Sequence, residues 1–556
     1  RLRRRSGGRL IVDALKAYGV KAVFCVPGES YLAILDALHD EAATVRLVTC
    51  RHESGAAFMA EALGKLTGLP GVACVTRGPG ACNASIAVHT AFQDSSPMIL
   101  FVGQVSRSHR GREAFQEVDL CAMFTPLAKW AVRIENPSRI PEVVSHAFHV
   151  ATSGRPGPVV VSLPEDVLGE EVAVRDMAHY RVVRPHPGAA DMEALGDLMR
   201  GAQRPLLIAG GGGWTAESCA DLRAYVDANG LPATTSFRCQ DLIDNTSPNF
   251  VGELGIGANP ALTQRVDEAD LIIAVGCRLG EITTQEYRLL ASPRPRQKLV
   301  HVHPDPTELE RVFQTDLAIS AGVGQFAAAA RSSPAVDGSV WADWLEGLRR
   351  DYLEWLGHGH CPGRLDMRAV MAVLRETLPP EAIITNDAGN FTGWVSRYYQ
   401  FRRFRTQLGP TNGAMGYGVP AAVAAKIARP EAPVLAFVGD GGALQTGQEL
   451  ATAMMYDLDP VTLVVNNDMY GTIRMQQELS YPGRVSGSNL ANPDFVAWAE
   501  AYGAHAERVE RTDDFEGALK RALKAGRASV LELRLDPEAI STQTTLRALR
   551  DQARGE

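Results

Sequence analysis

An aspartate framed by glycines and, one strand–helix–strand unit later, a pair of asparagines could together hold a hard cation and a phosphate chain. The stretch 434–471 runs VLAFVGDGGALQTGQELATAMMYDLDPVTLVVNNDMYG: apolar strand, acidic glycine turn, helix, second apolar strand, then Asn466 and Asn467. A strand–helix–strand crossover takes about 30 residues, so Asp440 and Asn467 are expected at the same edge of one sheet. A carboxylate, an amide oxygen and a nearby backbone carbonyl are hard oxygen ligands. They suit magnesium or calcium that also carries phosphate oxygens and water. Gly441 and Gly442 leave backbone N–H groups to face the same phosphates, beside a helix start whose dipole favours anions. Asp440 by itself would be no more than a cap in a tight turn. The asparagine pair at this spacing makes a diphosphate–metal site the stronger reading.

Glu53 is the second candidate, in RHESGAAFMAEAL at 51–63. It follows an apolar run (45–48) and opens a helix rich in small residues. A glutamate in a first helical turn is commonly just solvated and favoured by the dipole. Gly55, Ala56 and Ala57 would allow close packing around it and so withdraw water from it.

The elements that must position these residues alternate through the whole chain. Short β-branched runs at 22–26, 71–75, 98–102, 159–163, 206–209, 271–275, 299–302, 434–438 and 462–465 are separated by helical stretches such as 55–66 and 448–456. That pattern predicts an α/β fold of mainly parallel sheets flanked by helices, with ligands at the carboxyl ends of the strands. Polar, Pro- and Gly-rich breaks at 182–190, 331–338 and 357–363 mark three domains, 1–180, 188–335 and 360–545. The first and third share a strand running into a glycine turn, TRGPGACN at 76–83 and GDGG at 439–442. The turn 210–213 (GGGG) of the middle block lacks the full G-x-G-x-x-G pattern and a downstream ribose acid, which argues against an independent nicotinamide site.

Composition narrows the class. With 556 residues, 46% hydrophobic and 22% charged, the chain is long enough for several full cores. A formal charge of −8 argues against a nucleic-acid binder, and the basic run 1–5 is expected to be a frayed terminus. Nine scattered cysteines without a C-x-x-C pair point to reduced thiols and a cytoplasmic setting. No apolar run approaches the roughly 20 residues of a membrane helix. A large enzyme acting on small molecules, without a nucleic-acid or membrane partner, is the expectation.

The motifs PGES (27–30), RHE (51–53), GPGACN (78–83), REAFQE (112–117), SGRPGPV (153–159), NGAMGYGVPAA (412–422) and the GDG…NN block occur in one order along the chain. On them it resembles the thiamine diphosphate-dependent enzymes of the acetohydroxyacid (acetolactate) synthase-like group, from about residue 9 to residue 535. The resemblance implies three domains: a pyrimidine-binding one, a central Rossmann-like one and a diphosphate-binding one. It implies Asp440 and Asn467 as magnesium ligands with the carbonyl of Met469, and Gly439, Gly441, Gly442 and Ala443 at the diphosphate. Gly389 and Asn390, in DAGNFTGW, would form a second diphosphate-contacting turn. Pro27 and Gly28 would border the cofactor, and the Gly413 carbonyl would take the pyrimidine amino group. Met415 would be the apolar wedge that bends the coenzyme, and Glu53 would hydrogen-bond the aminopyrimidine ring. Gln116 would line the active site, and Lys129 in PLAKW aligns with a lysine at the synthase entrance.

The implied activity is decarboxylation of a 2-oxo acid followed by carboligation, in a homodimer or homotetramer whose glutamate and metal blocks come from different subunits. Related synthases carry FAD in the central domain, and others in the superfamily carry ADP or nothing. Here 276–283 (GCRLGEIT) departs from the synthases' Arg/Asp-rich stretch, which leaves FAD open. The stretch after Gly471, TIRMQQELSYPG, lacks the synthase tryptophan that favours a two-carbon acceptor side chain, with Gln476 near its place, and Phe391 replaces a polar histidine. The alternatives are a 2-hydroxyacyl- or oxalyl-CoA lyase or decarboxylase, an aromatic 2-oxo acid decarboxylase or benzaldehyde lyase, and a catalytically silent binding subunit.

Overall fold

A computed structural model describes residues 2–555. Its framework is three six-stranded sheets, each parallel throughout, with helices flanking them. All nine apolar runs picked out above are strands. Their residues are buried on both faces, which is why they read as continuous Val/Ile/Leu runs rather than alternating ones. Two edge strands escape that signature: Leu317–Ser320 is partly exposed, and Gln407–Leu408 is only two residues long with a buried glutamine.

Counting the six strands of each sheet along the chain, the first and third sheets have the same spatial order, 2-1-3-4-6-5. The shared glycine-turn logic of these two blocks therefore reflects a shared topology. The central sheet has the order 3-2-1-4-5-6 of a nucleotide-binding α/β fold. Its glycine turn is set by packing. A Cβ built at Gly210 would lie 1.9 Å from Ser236 Oγ, and one at Gly211 would lie 2.0 Å from the Gly276 carbonyl. Trp214 Nε1 donates to the Gly210 carbonyl (2.8 Å), and Thr215 and Ser218 cap the helix Ala216–Asn229 reciprocally.

The chain forms two compact units. One runs to Val183 and takes in two later segments, Val419–Pro430 and Thr446–Tyr456. The other comprises Arg184–Gly418, Glu431–Gln445 and Asp457 onward, and holds the cores of the central and third sheets. Among the described residues, no helix is long and apolar enough to cross a membrane.

One expectation is corrected. Arg1 lies outside the described residues, but the end of the basic N-terminal run is anchored rather than frayed: Arg5–Ser6 pairs antiparallel with Glu171–Val172, and Arg5 bridges Asp13 (2.6 Å) and Asp176 (2.8 Å). The strand partner and Asp176 are distant in sequence, so local composition does not reveal them. Lys129 is half-buried. Its ammonium donates to the carbonyls of Val150 and Ser153 (2.5 and 2.7 Å) at the end of the helix Ile140–Thr152, where the dipole favours a cation.

In the second unit, the helix Gly471–Ser480 that follows the asparagine pair is clamped to the helix Leu546–Arg554. Arg550 meets Glu478 with two bonds (2.8 and 2.9 Å), and Arg474 and the Gly483 N–H add to it. Arg550, first among these donors, holds the Glu478 carboxyl down at about 2. A depressed carboxylate stabilises the fold above its unfolded value, and that contribution fades as pH falls toward 2. Glu478→Gln should cost on the order of 2 kcal/mol at pH 7, solvent screening at the arginines included. Chemical denaturation of the two proteins should show that deficit constant above pH 5 and shrinking as pH is lowered to 3.

Candidate functional site

The strand Val434–Gly439 lies parallel to Val461–Asn466 with Gly439 opposite Val465, so Asp440 and the asparagine pair leave the sheet side by side. Asp440 opens the short helix Asp440–Thr446 and is buried. Its carboxylate accepts from the Gly441 N–H (3.0 Å) and from Asn492 Nδ2 (2.9 Å). Burial pushes its carboxyl above the usual carboxylate range, and the charge of Asp468 adds to the push. A buried carboxylate held by an amide and a backbone N–H is one whose charge a divalent cation would relieve. The residues present therefore suit a magnesium ion.

The two asparagines divide the labour. Asn466 is fully buried, donating to Glu532 (2.8 Å) and accepting from the Asp468 N–H (3.1 Å) and Asn492 Nδ2 (3.1 Å). Asn467 is the half-buried member at the edge. The backbone around Met469 is pinned by 488–490: the Tyr470 N–H donates to Ser488 (2.8 Å) and the Leu490 N–H to Asp468 (2.9 Å). Against the cost of burial, Arg534 and Asn492 hold Asp468 below its ordinary pKa.

The glycine turn has no room for side chains. A Cβ at Gly441 would fall 2.4 Å from the Tyr470 ring, and one at Gly442 would fall 2.0 Å from Asp387 Oδ2. Gly439 is overlaid by the Phe391 ring, 3.0 Å from where its Cβ would be. The Gly441 N–H is turned to the Asp440 carboxylate, and the N–H groups of Gly442 and Ala443 lie in the first turn of the helix, a position that suits an anion such as a diphosphate. Met415 stands beside this turn, its Cε 3.4 Å from the Gly441 Cβ position, on a loop that needs left-handed backbone at Gly413 (φ 70°) and Gly416 (φ 88°). Gly389 and Asn390 follow the strand Ile383–Asn386. The Asn390 side chain braces its surroundings, donating to the Ile540 carbonyl (2.9 Å) and accepting from Thr472 Oγ1 (2.9 Å).

The first unit carries the other candidates at the carboxyl edge of the first sheet. Glu53 is the first residue of the helix Glu53–Thr67, with His52 as the cap whose Nδ1 accepts from the Ser54 N–H (3.1 Å). Asn83, on the helix Gly78–Asp94, donates to Glu53 Oε2 (2.9 Å). Gly28 packs on Thr76, where a Cβ would lie 2.7 Å away, so Pro27 and Gly28 sit against the start of the 76–83 turn. Gln116, at φ 63°, gives its carbonyl to the Gly78 N–H (3.0 Å), and neighbouring Phe115 is 73% exposed.

The small residues after Glu53 serve a different carboxylate from the one expected. Glu449, fully buried, lies against Gly55, where a Cβ would sit 2.4 Å from its Oε1. It accepts from the N–H groups of Arg51 (3.1 Å) and His52 (3.0 Å) and from Thr452 Oγ1 (2.5 Å), and burial pushes its carboxyl up. Tyr456, at the end of the same segment, accepts from the Thr49 N–H (2.7 Å). The turn that presents Glu53 is thus held from behind by a segment almost four hundred positions later. Sequence reasoning passed over Asn83, Asp387, Glu449, Tyr470 and Asn492. Asp387 alone carried a usable signal, an acid directly after a strand as at Asp440.

Comparison with known proteins finds the same family across the chain. Three family descriptions match: "Thiamine pyrophosphate enzyme, N-terminal TPP binding domain" over residues 5–123, the central domain over 192–330 and the C-terminal TPP binding domain over 387–533. A probable acetolactate synthase large subunit of Methanocaldococcus jannaschii is 32% identical over 550 residues, covering 96% of this chain and 92% of that protein. Two Escherichia coli K12 proteins are similar to a like degree. The acetolactate synthase isozyme 2 large subunit is 31% identical (96% of each chain), and the isozyme 3 large subunit is 33% identical (93% of this chain, 92% of that one).

The closeness of Gly55 to Glu449 has a measurable consequence. Gly55→Ala should destabilise the protein by about 1–3 kcal/mol through overpacking, read as an earlier midpoint in urea unfolding.

Proposed function

The chain belongs to the thiamine pyrophosphate enzyme family, and on that premise we propose that it is a thiamine diphosphate- and magnesium-dependent carboligase or decarboxylase of the acetolactate synthase kind, acting on a 2-oxo acid. The observation that carries the reading is the pairing of strand ends that brings buried Asp440 and the Asn466–Asn467 pair to one sheet edge, with a side-chain-free glycine turn after Asp440. When bound, the coenzyme supplies the electron sink for making or breaking the carbon–carbon bond next to a carbonyl.

The residues of the chain do the holding and the proton work. Asp440, Asn467 and the Met469 carbonyl would hold magnesium as hard oxygen ligands, and the N–H groups of Gly441, Gly442 and Ala443 would face the diphosphate. Met415 would press on the coenzyme as an apolar wedge, with the Gly413 carbonyl taking an amino proton. Glu53 would exchange a proton with the pyrimidine ring nitrogen through one carboxylate oxygen while Asn83 holds the other. Gln116 would line the reaction space. In the family it resembles, the glutamate and metal blocks at one coenzyme come from different subunits, so the working assembly would be at least a homodimer.

Two substitutions test these assignments. Glu53→Gln should leave coenzyme affinity near that of the parent while slowing turnover of a 2-oxo acid by about 10²–10⁴, measured under steady-state conditions with coenzyme saturating. Asp440→Ala should weaken magnesium-dependent coenzyme binding in calorimetric titration; an unaltered affinity counts against the metal site.

A further inference from the structure

Among the carboxylates that the mechanism does not use, Asp387 stands apart. It directly follows the strand Ile383–Asn386, and its side chain is fully buried. Its own N–H donates to the Phe437 carbonyl (2.9 Å) of the neighbouring strand, and Asn386 Nδ2 donates to its carbonyl (2.8 Å). These bonds fix its backbone. One carboxylate oxygen accepts from the Gly416 N–H (2.9 Å) and the other from the Gly418 N–H (2.5 Å). The oxygen bonded to Gly416 also rests on the Cα of Gly442, where a Cβ would come within 2.0 Å. Three segments therefore meet at one side chain: the strand end leading to Gly389 and Asn390, the loop bearing Gly413 and Met415, and the glycine turn after Asp440.

The loop 410–418 depends on such anchors because its own backbone is irregular, with left-handed residues at Gly413 and Gly416. Its far end is held from the central domain, where Arg238 Nη1 donates to the Pro410 carbonyl (2.6 Å). Thr385 Oγ1 donates to the Gly418 carbonyl (2.7 Å) and secures the near end beside Asp387. A carboxylate that satisfies two buried N–H groups at once cannot be replaced by an amide without setting an NH2 against an N–H.

We propose that Asp387 is a positioning residue that sets the Met415 loop against the glycine turn, and through them the ring end of the coenzyme against its diphosphate end. This rests on the coenzyme assignment made above. Nothing in its environment places it in contact with substrate; it acts through Gly416, Gly418 and Gly442.

Calorimetric titration of the full-length protein with thiamine diphosphate and, separately, with inorganic diphosphate, both with magnesium, tests it. In Asp387→Asn the affinity for thiamine diphosphate should fall about 10- to 100-fold, the cost of an unsatisfied buried donor. The affinity for inorganic diphosphate should stay within about threefold, because the turn's own N–H groups remain. Equal losses for both ligands would mark Asp387 as merely structural and overturn the proposal, as would unchanged coenzyme affinity. If Asp387→Asn does not fold, Arg238→Lys releases the other end of the loop and should give the same difference between ligands; its absence would equally overturn the proposal. A parent protein that binds no thiamine diphosphate would remove the coenzyme reading itself, and the proposal with it.

Discussion

The structure depends most on the parallel register that seats Val434–Gly439 on Val461–Asn466. Because the strands run the same way, their carboxyl ends and the residues just past them crowd one edge, and the crossover helix starts there. A shift of that register by one residue would move Asp440 out of line with the asparagines. The rest of the edge builds on this pairing. Tyr470 and Asp387 close in where Gly441 and Gly442 have no side chain, and Asn492 links Asp440 with Asn466 and Asp468 (3.1 Å each to the latter two).

Buried carboxylates bound by backbone N–H groups recur as the means of fixing irregular turns. Glu449 holds the backbone before Glu53, and Asp387 holds the backbone around Met415. In both cases desolvation pushes the carboxyl up, to about 6 at Asp387. Each is costly to bury and is offset by donors that would otherwise lack partners. The arrangement exchanges stability for a defined loop shape, which a site built on loops requires.

Much of this was legible in the sequence for physical reasons. Interior parallel strands are apolar on both faces, so runs such as 271–275 and 434–438 announce themselves, and strand-end chemistry places Asp440 and Asn467 without a structure. The unforeseen features are long-range ones. Nothing near Gly55 reveals that its missing side chain makes room for Glu449, and nothing near Arg5 reveals Asp176. The segment Thr446–Tyr456 follows the glycine turn in sequence yet belongs to the compact unit of Glu53. Short edge strands such as Gln407–Leu408 lacked the apolar signature altogether.

The most direct test of the whole account is equilibrium binding of thiamine diphosphate to the purified, metal-stripped chain, measured with magnesium restored and with a chelator present. The account predicts one coenzyme per chain, bound tightly with magnesium and released by the chelator. Binding that ignores the metal, or none under either condition, would contradict it.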